Sequence, residues 1–227
     1  MGAIAFIPVR GGSKSIPKKN VKLLNNKPLL YWTAKAAHDC ELIDTIVVAT
    51  DDKEIENIAL GFGFNKLKIY WRLPQNATDS ASTESVMLEY LNQANHDSTQ
   101  PFILIQATNP FINSDHLTEA IELYQQNILS SIISCSRFKR FLWNSQGVPI
   151  NYDFNQRPRR QEFDGCFLEN GAFYINSIKR IRTYKNRLSE PIQIYEMPEY
   201  SSYEIDEPED WIIVEELHKR TILKSTS

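Results

Sequence analysis

Short unbroken apolar runs alternate along the chain with longer stretches in which apolar positions recur every three or four residues. The runs "AIAFIPV", "DTIVVAT", "KLKIYW", "FILIQAT" and "SSIISCS" predict strands. Between them, "KPLLYWTAKAAHDC", "DKEIENIALGFG", "TESVMLEYLNQA" and "DHLTEAIELYQQN" predict helices. Strands apolar on both faces need helices on both sides, so the expected class is α/β: a three-layer, open, mostly parallel sheet. At residues 136–170 the rhythm breaks. There "RFKRFLWNSQGVPINYDFNQRPRRQEFDG" is aromatic, basic and turn-rich, and predicts a β-rich excursion from the core. "GAFYINS" resumes a strand, "SIKRIRTYKNRL" a helix, "PIQIYEM" a strand and "PEDWIIVEELHKR" a closing helix. Without a repeat, low-complexity tract or Gly/Ser linker, residues 1–227 read as a single domain carrying that excursion.

Composition narrows the classes of function. A formal charge of -3 implies neither a nucleic-acid coat nor a membrane-seeking surface, so any attraction for anions is local. Cys40, Cys135 and Cys166 are odd in number and not in CxxC spacing, which fits a reducing cytoplasm. His38, His96, His116 and His218 show no metal-ligand spacing. No apolar stretch reaches the ~18 residues of a membrane span, and no leader is apparent at the amino end, so a cytoplasmic location is expected.

Open sheets of this kind bind ligands beyond the carboxyl ends of their strands. "PVRGGSK", "ATDD" and "QATNP" are three such ends, and all are polar. In the first, Gly11 and Gly12 let backbone N–H groups approach a ligand, while Arg10, Lys14 and Lys19 add positive charge, a combination suited to a polyphosphate. It is neither GxxxxGK[ST] nor GxGxxG, and the bland alternative is a solvated basic turn. Arg72 precedes a polar run in which Ser82 and Thr83 are either hydroxyl contacts for a ribose or base, or helix-start chemistry. Gln106 and Thr108 leave the sheet at the same crevice. "RPRRQ", with Arg157, Arg159, Arg160 and Gln161, is a cation run beside "ENG", where Asn170 and Gly171 read as a tight turn drawing the arginines toward the sheet. In "YEIDEPEDW", Asp206 and Glu209 have the spacing of a capping box; alternatively Glu204 and Asp206, alternating on a strand end, hold a hard cation such as magnesium.

Taken together, "RGGSK" with "KN" behind it, "IQATNP", "RPRRQEFDG", "ENGAFY" and "EIDEPEDW" resemble, in order and approximate spacing over about 200 residues, the cytidylyltransferases that activate sialic and related nonulosonic acids. The resemblance covers the catalytic half of the animal enzymes and the single-domain bacterial ones, and no further domain is expected after the closing helix. It implies a Rossmann-like nucleotidyltransferase fold and the transfer of CMP from CTP to a nonulosonic acid, with Mg2+ as cofactor. By the same resemblance, Arg10, Gly11, Gly12, Ser13, Lys14, Lys19 and Asn20 cradle CTP, with Arg72, Ser82 and Thr83 along the cytidine. Gln106, Thr108, Arg157, Arg159, Arg160, Gln161 and Asn170 face the sugar. Glu204 and Asp206 bind the metal, and Arg159, Lys19 and Asp206 are the catalytic set. The excursion becomes a dimerisation segment, implying a homodimer with Arg159 acting in trans, and no histidine base. Three positions depart from the pattern: Ser15 stands where a glycine is usual, Glu204 where an aspartate is, and Leu142 where a basic residue is expected.

Overall fold

The computed structural model describes residues 2–78, 80–93 and 95–221. Its sheet has seven strands: β1 (Ala3–Pro8), β4 (Ile43–Thr50), β5 (Leu67–Trp71), β6 (Pro101–Ile105), β7 (Ser131–Phe138), β8 (Cys166–Ser177) and β9 (Ile192–Met197). They lie in the order β5-β4-β1-β6-β8-β7-β9. β1 pairs in parallel with β4 and β6, β4 with β5, and β7 with β9; β8 runs antiparallel to both its neighbours. The helices are α1 (Leu29–Asp39), α2 (Lys53–Leu60), α3 (Thr83–Gln93), α4 (Ser114–Gln126), α5 (Ile178–Tyr184) and α6 (Pro208–Thr221).

Two-residue alternation along β1 explains the three layers. Ala5 and Ile7 face one apolar cluster with Leu30 and Ala34 of α1, Ile55 of α2 and Leu117 of α4. Ile4 and Phe6 face another with Val86 and Met87 of α3 and Ile178 of α5. A third cluster, of Ile16, Leu24, Leu29, Phe111, Ile205, Trp211 and Val214, ties α6 to the loop after β1. Burial of such side chains contributes roughly 1.5–3 kcal/mol each, so this cluster is the anchor for both segments.

Four local expectations change. Before α1 stands a small hairpin, β2 (Leu23–Leu24) and β3 (Lys27–Pro28), turned by Asn25 and Asn26 at φ 49° and 67°; asparagine tolerates that region and builds such turns. α5 stops at Tyr184, four residues short of the predicted run, where Lys185 turns left-handed at φ 52°. Asn170 and Gly171 lie inside β8 and form no turn; the pairing slips between Ile133 and Cys135 opposite them, and Gly171 takes φ 61°, the signature of a bulge. The excursion is β-structured only at its base, where Cys135 to Phe138 pair with Glu169 to Cys166. Farther out, residues 139–165 hold a single bridge, Trp143 to Pro149, and a 3-10 turn, Phe154–Gln156. Phe141 there packs on Tyr152 and Phe163 at 4.4 and 4.8 Å.

Candidate active site

A cleft of about 320 Å3 opens where β1, β5 and β6 end. One end is cationic. Arg10, Ser13, Lys19 and Asn20 line it, and two hydrogen bonds hold the loop that carries them. Gly11 N donates to Asp51 Oδ1 at 2.9 Å, and Asn20 Nδ2 donates to the Arg10 carbonyl at 3.1 Å. A Cβ at Gly11 would lie 2.3 Å from Asp52 Oδ2, so no larger residue fits, whereas the space around Gly12 is open. Lys14 is exposed and stands outside the lining, as does Ser15, whose hydroxyl meets Glu207 at 3.4 Å.

The other end is neutral and rich in hydroxyls: Thr78, Ser82 and Thr83, with Ala81 and Val86. Arg72 spans the two. Its Nε donates to the Ala49 carbonyl at 3.0 Å and its backbone N–H to that of Thr50 at 3.0 Å. Burial draws its pKa down, against the opposing pull of Asp51. Ser82 also serves as the helix cap, its Oγ accepting from Ser85 N at 3.1 Å; the cap and the cleft-lining roles therefore coexist.

Gln106 and Thr108 form the floor. The Thr108 hydroxyl is buried and lacks a partner within the protein, which is costly unless a ligand supplies one. Its carbonyl accepts from Ile205 N at 2.9 Å, fixing the acidic segment against the cleft. Ile205 is wholly buried; of the acids on either side of it, Glu204 is half-buried and Asp206 exposed, and neither belongs to the cleft lining. Burial, and then the neighbouring Asp206 carboxylate, push Glu204 up to about 7. Lys19 Nζ donates to the Ile205 carbonyl at 2.8 Å and lies 3.4 Å from Asp206 Oδ1, so the loop and the acids meet. The capping box expected from Asp206 and Glu209 is made differently: Asp210 Oδ2 accepts from the N–H groups of Asp206 and Glu207 at 3.0 and 2.8 Å. The Asp206 carboxylate, 64% exposed, is thereby left facing outward.

Other predicted residues lie elsewhere. Asn170 is 1% exposed. Its Oδ1 accepts from Ser134 Oγ at 2.8 Å and its Nδ2 donates to Ser201 Oγ at 2.9 Å, so it braces the bulge from inside the protein. Arg157, Arg159, Arg160 and Gln161 are exposed on the excursion, outside the lining of their own chain's cleft. Arg157 stacks over Phe141 at 4.3 Å. Asp51, which holds Gly11, carries a role the sequence signalled only through the polar strand end "ATDD". Thr78 and Ala81 belong to a polar run recognised as such but not residue by residue.

Fold and cleft together define an α/β protein built to hold an anionic ligand with a neutral, hydroxyl-binding tail at the carboxyl edge of its sheet. The chain belongs to the cytidylyltransferase family, whose sequence model matches residues 4–224. It is 35% identical over 219 residues to N-acylneuraminate cytidylyltransferase A of Danio rerio, covering 93% of this chain and 50% of the relative. Over 227 residues it is 30% identical to the CMP-N,N'-diacetyllegionaminic acid synthase of Legionella pneumophila, covering 96% of each. The chain thus spans about half the length of the fish N-acylneuraminate cytidylyltransferases it matches, at 50% for forms A and B alike. Among solved structures, CMP:2-keto-3-deoxy-manno-octonic acid synthetase complexed with CTP superposes with a TM-score of 0.70 at 18% identity, covering 98% of this chain and 100% of that one. The 4-diphosphocytidyl-2C-methyl-D-erythritol synthase of Anaerococcus prevotii gives 0.71 at 16%, covering 96% and 97%. Both have the same fold.

Proposed function

We propose that the chain transfers CMP from CTP to the anomeric hydroxyl of a nonulosonic acid of the sialic type, releasing pyrophosphate. The observation that carries this reading is the two-ended cleft: a cationic glycine loop for the triphosphate, a hydroxyl-lined end for the cytidine, and an acidic pair reaching the loop through Lys19. The names of the relatives supply the substrate class.

The donor set fits magnesium. Glu204 and Asp206 are hard oxygen donors on either side of Ile205, and the pKa of Glu204, raised by burial and then by the Asp206 carboxylate, is one that a bound cation would lower. Among the described residues no three His, Cys, Asp or Glu side chains form a complete ion cage, so phosphate oxygens and water would complete the shell, the usual habit of magnesium. When bound, the ion supplies Lewis-acid stabilisation of charge on the phosphates. Arg10 and Lys19 hold the negative charge that grows as the sugar oxygen attacks the α-phosphate, and they retain the departing pyrophosphate. Gln106 and Thr108 orient the attacking hydroxyl; the buried Thr108 hydroxyl gains its missing partner there. Arg159 and its neighbours serve the sugar pocket of a second copy, in a homodimer joined through the excursion.

The test is sugar-dependent pyrophosphate release from CTP, assayed across N-acetylneuraminic, deaminated, legionaminic and pseudaminic acids. Release with N-acetylneuraminic or the deaminated acid supports the reading. The 30% identity to the Legionella relative over 96% of this chain supports legionaminic acid as the second reading, and a preference for it in the panel decides between them. No release with any of the four overturns both. Asp206→Asn should abolish release while leaving the melting temperature unchanged.

A further inference from the structure

Arg187 lies outside the cleft, in the connection between α5 and β9. Its Nε donates to Glu84 Oε1 at 2.5 Å, with side chains 20% and 24% exposed. The guanidinium also lies 4.9 Å over the ring of Tyr174 in β8, and the Tyr174 hydroxyl donates to Glu169. A planar fork that pairs with a carboxylate while stacking on a ring is held in one place. Unlike an exposed ion pair, which contributes little, this one is largely screened from water on both sides.

Its location gives it a role. Glu84 follows directly on Thr83 at the start of α3, and Ser82 is the cap of that helix. Ser82 and Thr83 line the hydroxyl-rich end of the cleft, while residues 77, 78 and 80–82 before them form neither helix nor strand. The wall of that end therefore takes its position from the first turn of α3. Val86, Met87 and Leu91 bury one side of the helix in the core, and its second turn is held by Glu89, which accepts from the Tyr70 hydroxyl, Leu73 N and Asn76 Nδ2; at the first turn, Glu84 is held by Arg187. The bond from Arg187 to Glu84 spans 103 residues of sequence and ties this turn to the connection that follows α5, on the same face of the sheet.

We propose that Arg187 is a positioning residue for the nucleoside end of the cleft: through Glu84 it fixes the first turn of α3, and so the two hydroxyls that meet the ribose and base. This rests on the reading that CTP lies with its triphosphate at the Arg10 and Lys19 end. Arg187 touches no substrate.

Binding of CTP, CMP and inorganic tripolyphosphate, measured by calorimetry on the full chain, tests it. Arg187→Ala should weaken CTP and CMP on the order of tenfold, the scale of a small misplacement of a binding group, and leave tripolyphosphate unchanged. Glu84→Gln, which breaks the ion pair but keeps the stack, should act in the same direction and serves if Arg187→Ala does not fold. Recovery of CTP affinity in the charge-swapped Glu84→Arg, Arg187→Glu protein would support the proposal further. Unchanged CTP binding in Arg187→Ala, or equal weakening of CTP and tripolyphosphate, overturns it, because the first means no role and the second a general loosening. A wild-type protein that binds neither CTP nor tripolyphosphate instead overturns the nucleotide reading beneath it.

Discussion

At the scale of single residues, Thr108 and Gly171 carry the sharpest expectations. The Thr108 hydroxyl is buried without a partner in the ligand-free chain, so Thr108→Val, which keeps the shape and removes the polar atom, should not lower the melting temperature and can raise stability by about 1 kcal/mol. Its KM for the sugar should nevertheless rise severalfold, as steady-state pyrophosphate assays would reveal; a lower melting temperature with an unchanged KM would contradict the assignment. Gly171 combines φ 61° with a would-be Cβ only 2.5 Å from Glu204 Oε2. Gly171→Ala should cost about 1 kcal/mol of backbone strain and push the Glu204 carboxylate aside. A magnesium titration of activity should then shift to higher concentration, while an unmoved titration would exclude Glu204 from the cation. The sequence showed Gly171 as a glycine in need of special conformation, yet its neighbour Glu204 is 33 residues away in the chain, and no local pattern links them.

At the scale of elements, α6 is the part most exposed to pH. His218 in its last turn is fully buried against Trp32 at 4.3 Å and Phe111 at 6.1 Å, beside Asn25 of the hairpin turn at 3.3 Å. Burial pushes it down to about 4, so the neutral ring is the one that folds. Between pH 6.5 and about 4 the unfolded chain binds the extra proton and the folded chain does not; the stabilisation is whole above pH 6.5 and is lost as pH falls through that window, by roughly 2–3 kcal/mol. Chemical denaturation from pH 7.5 to 4.5 should show that loss, and His218→Phe should flatten it. The other elements were largely legible: strand and helix periodicity marked the seven-stranded sheet and its helices within a few residues, because the central strands β1, β4 and β6 are buried along most of their length and nearly all apolar. The hairpin was not, since its two-residue strands are too short to show a period, and the β8 bulge was not, since "ENG" reads equally as a turn until the partner strand is known.

For the whole molecule, the cleft was legible because glycines, cations and polar strand ends have few other uses in combination, whereas the excursion's arginines remain apart from their own cleft and have a role only under the proposal of a second copy. Trp143, Val148, Ile150 and Phe154 are at least half exposed on that excursion, a dense apolar surface for one free chain. Sedimentation should give double the monomer mass, and replacing residues 141–163 with a short glycine-serine link should give the monomer. If Arg159 works in trans, mixing the separately inactive Arg159→Ala and Asp206→Asn proteins should restore part of the activity, because one site in each mixed pair then holds both residues; no recovery would place Arg159 in cis or outside the reaction. The reversed direction of β8 has a last consequence. Since it alone among the seven strands runs against the rest, its beginning lies at the edge where its neighbours end, and whatever segment precedes it must emerge at the edge of the sheet that carries the cleft. The excursion is thus a replaceable cassette at the doorway: grafting one from a relative should change which sugar is accepted, with the choice of nucleotide left as it was.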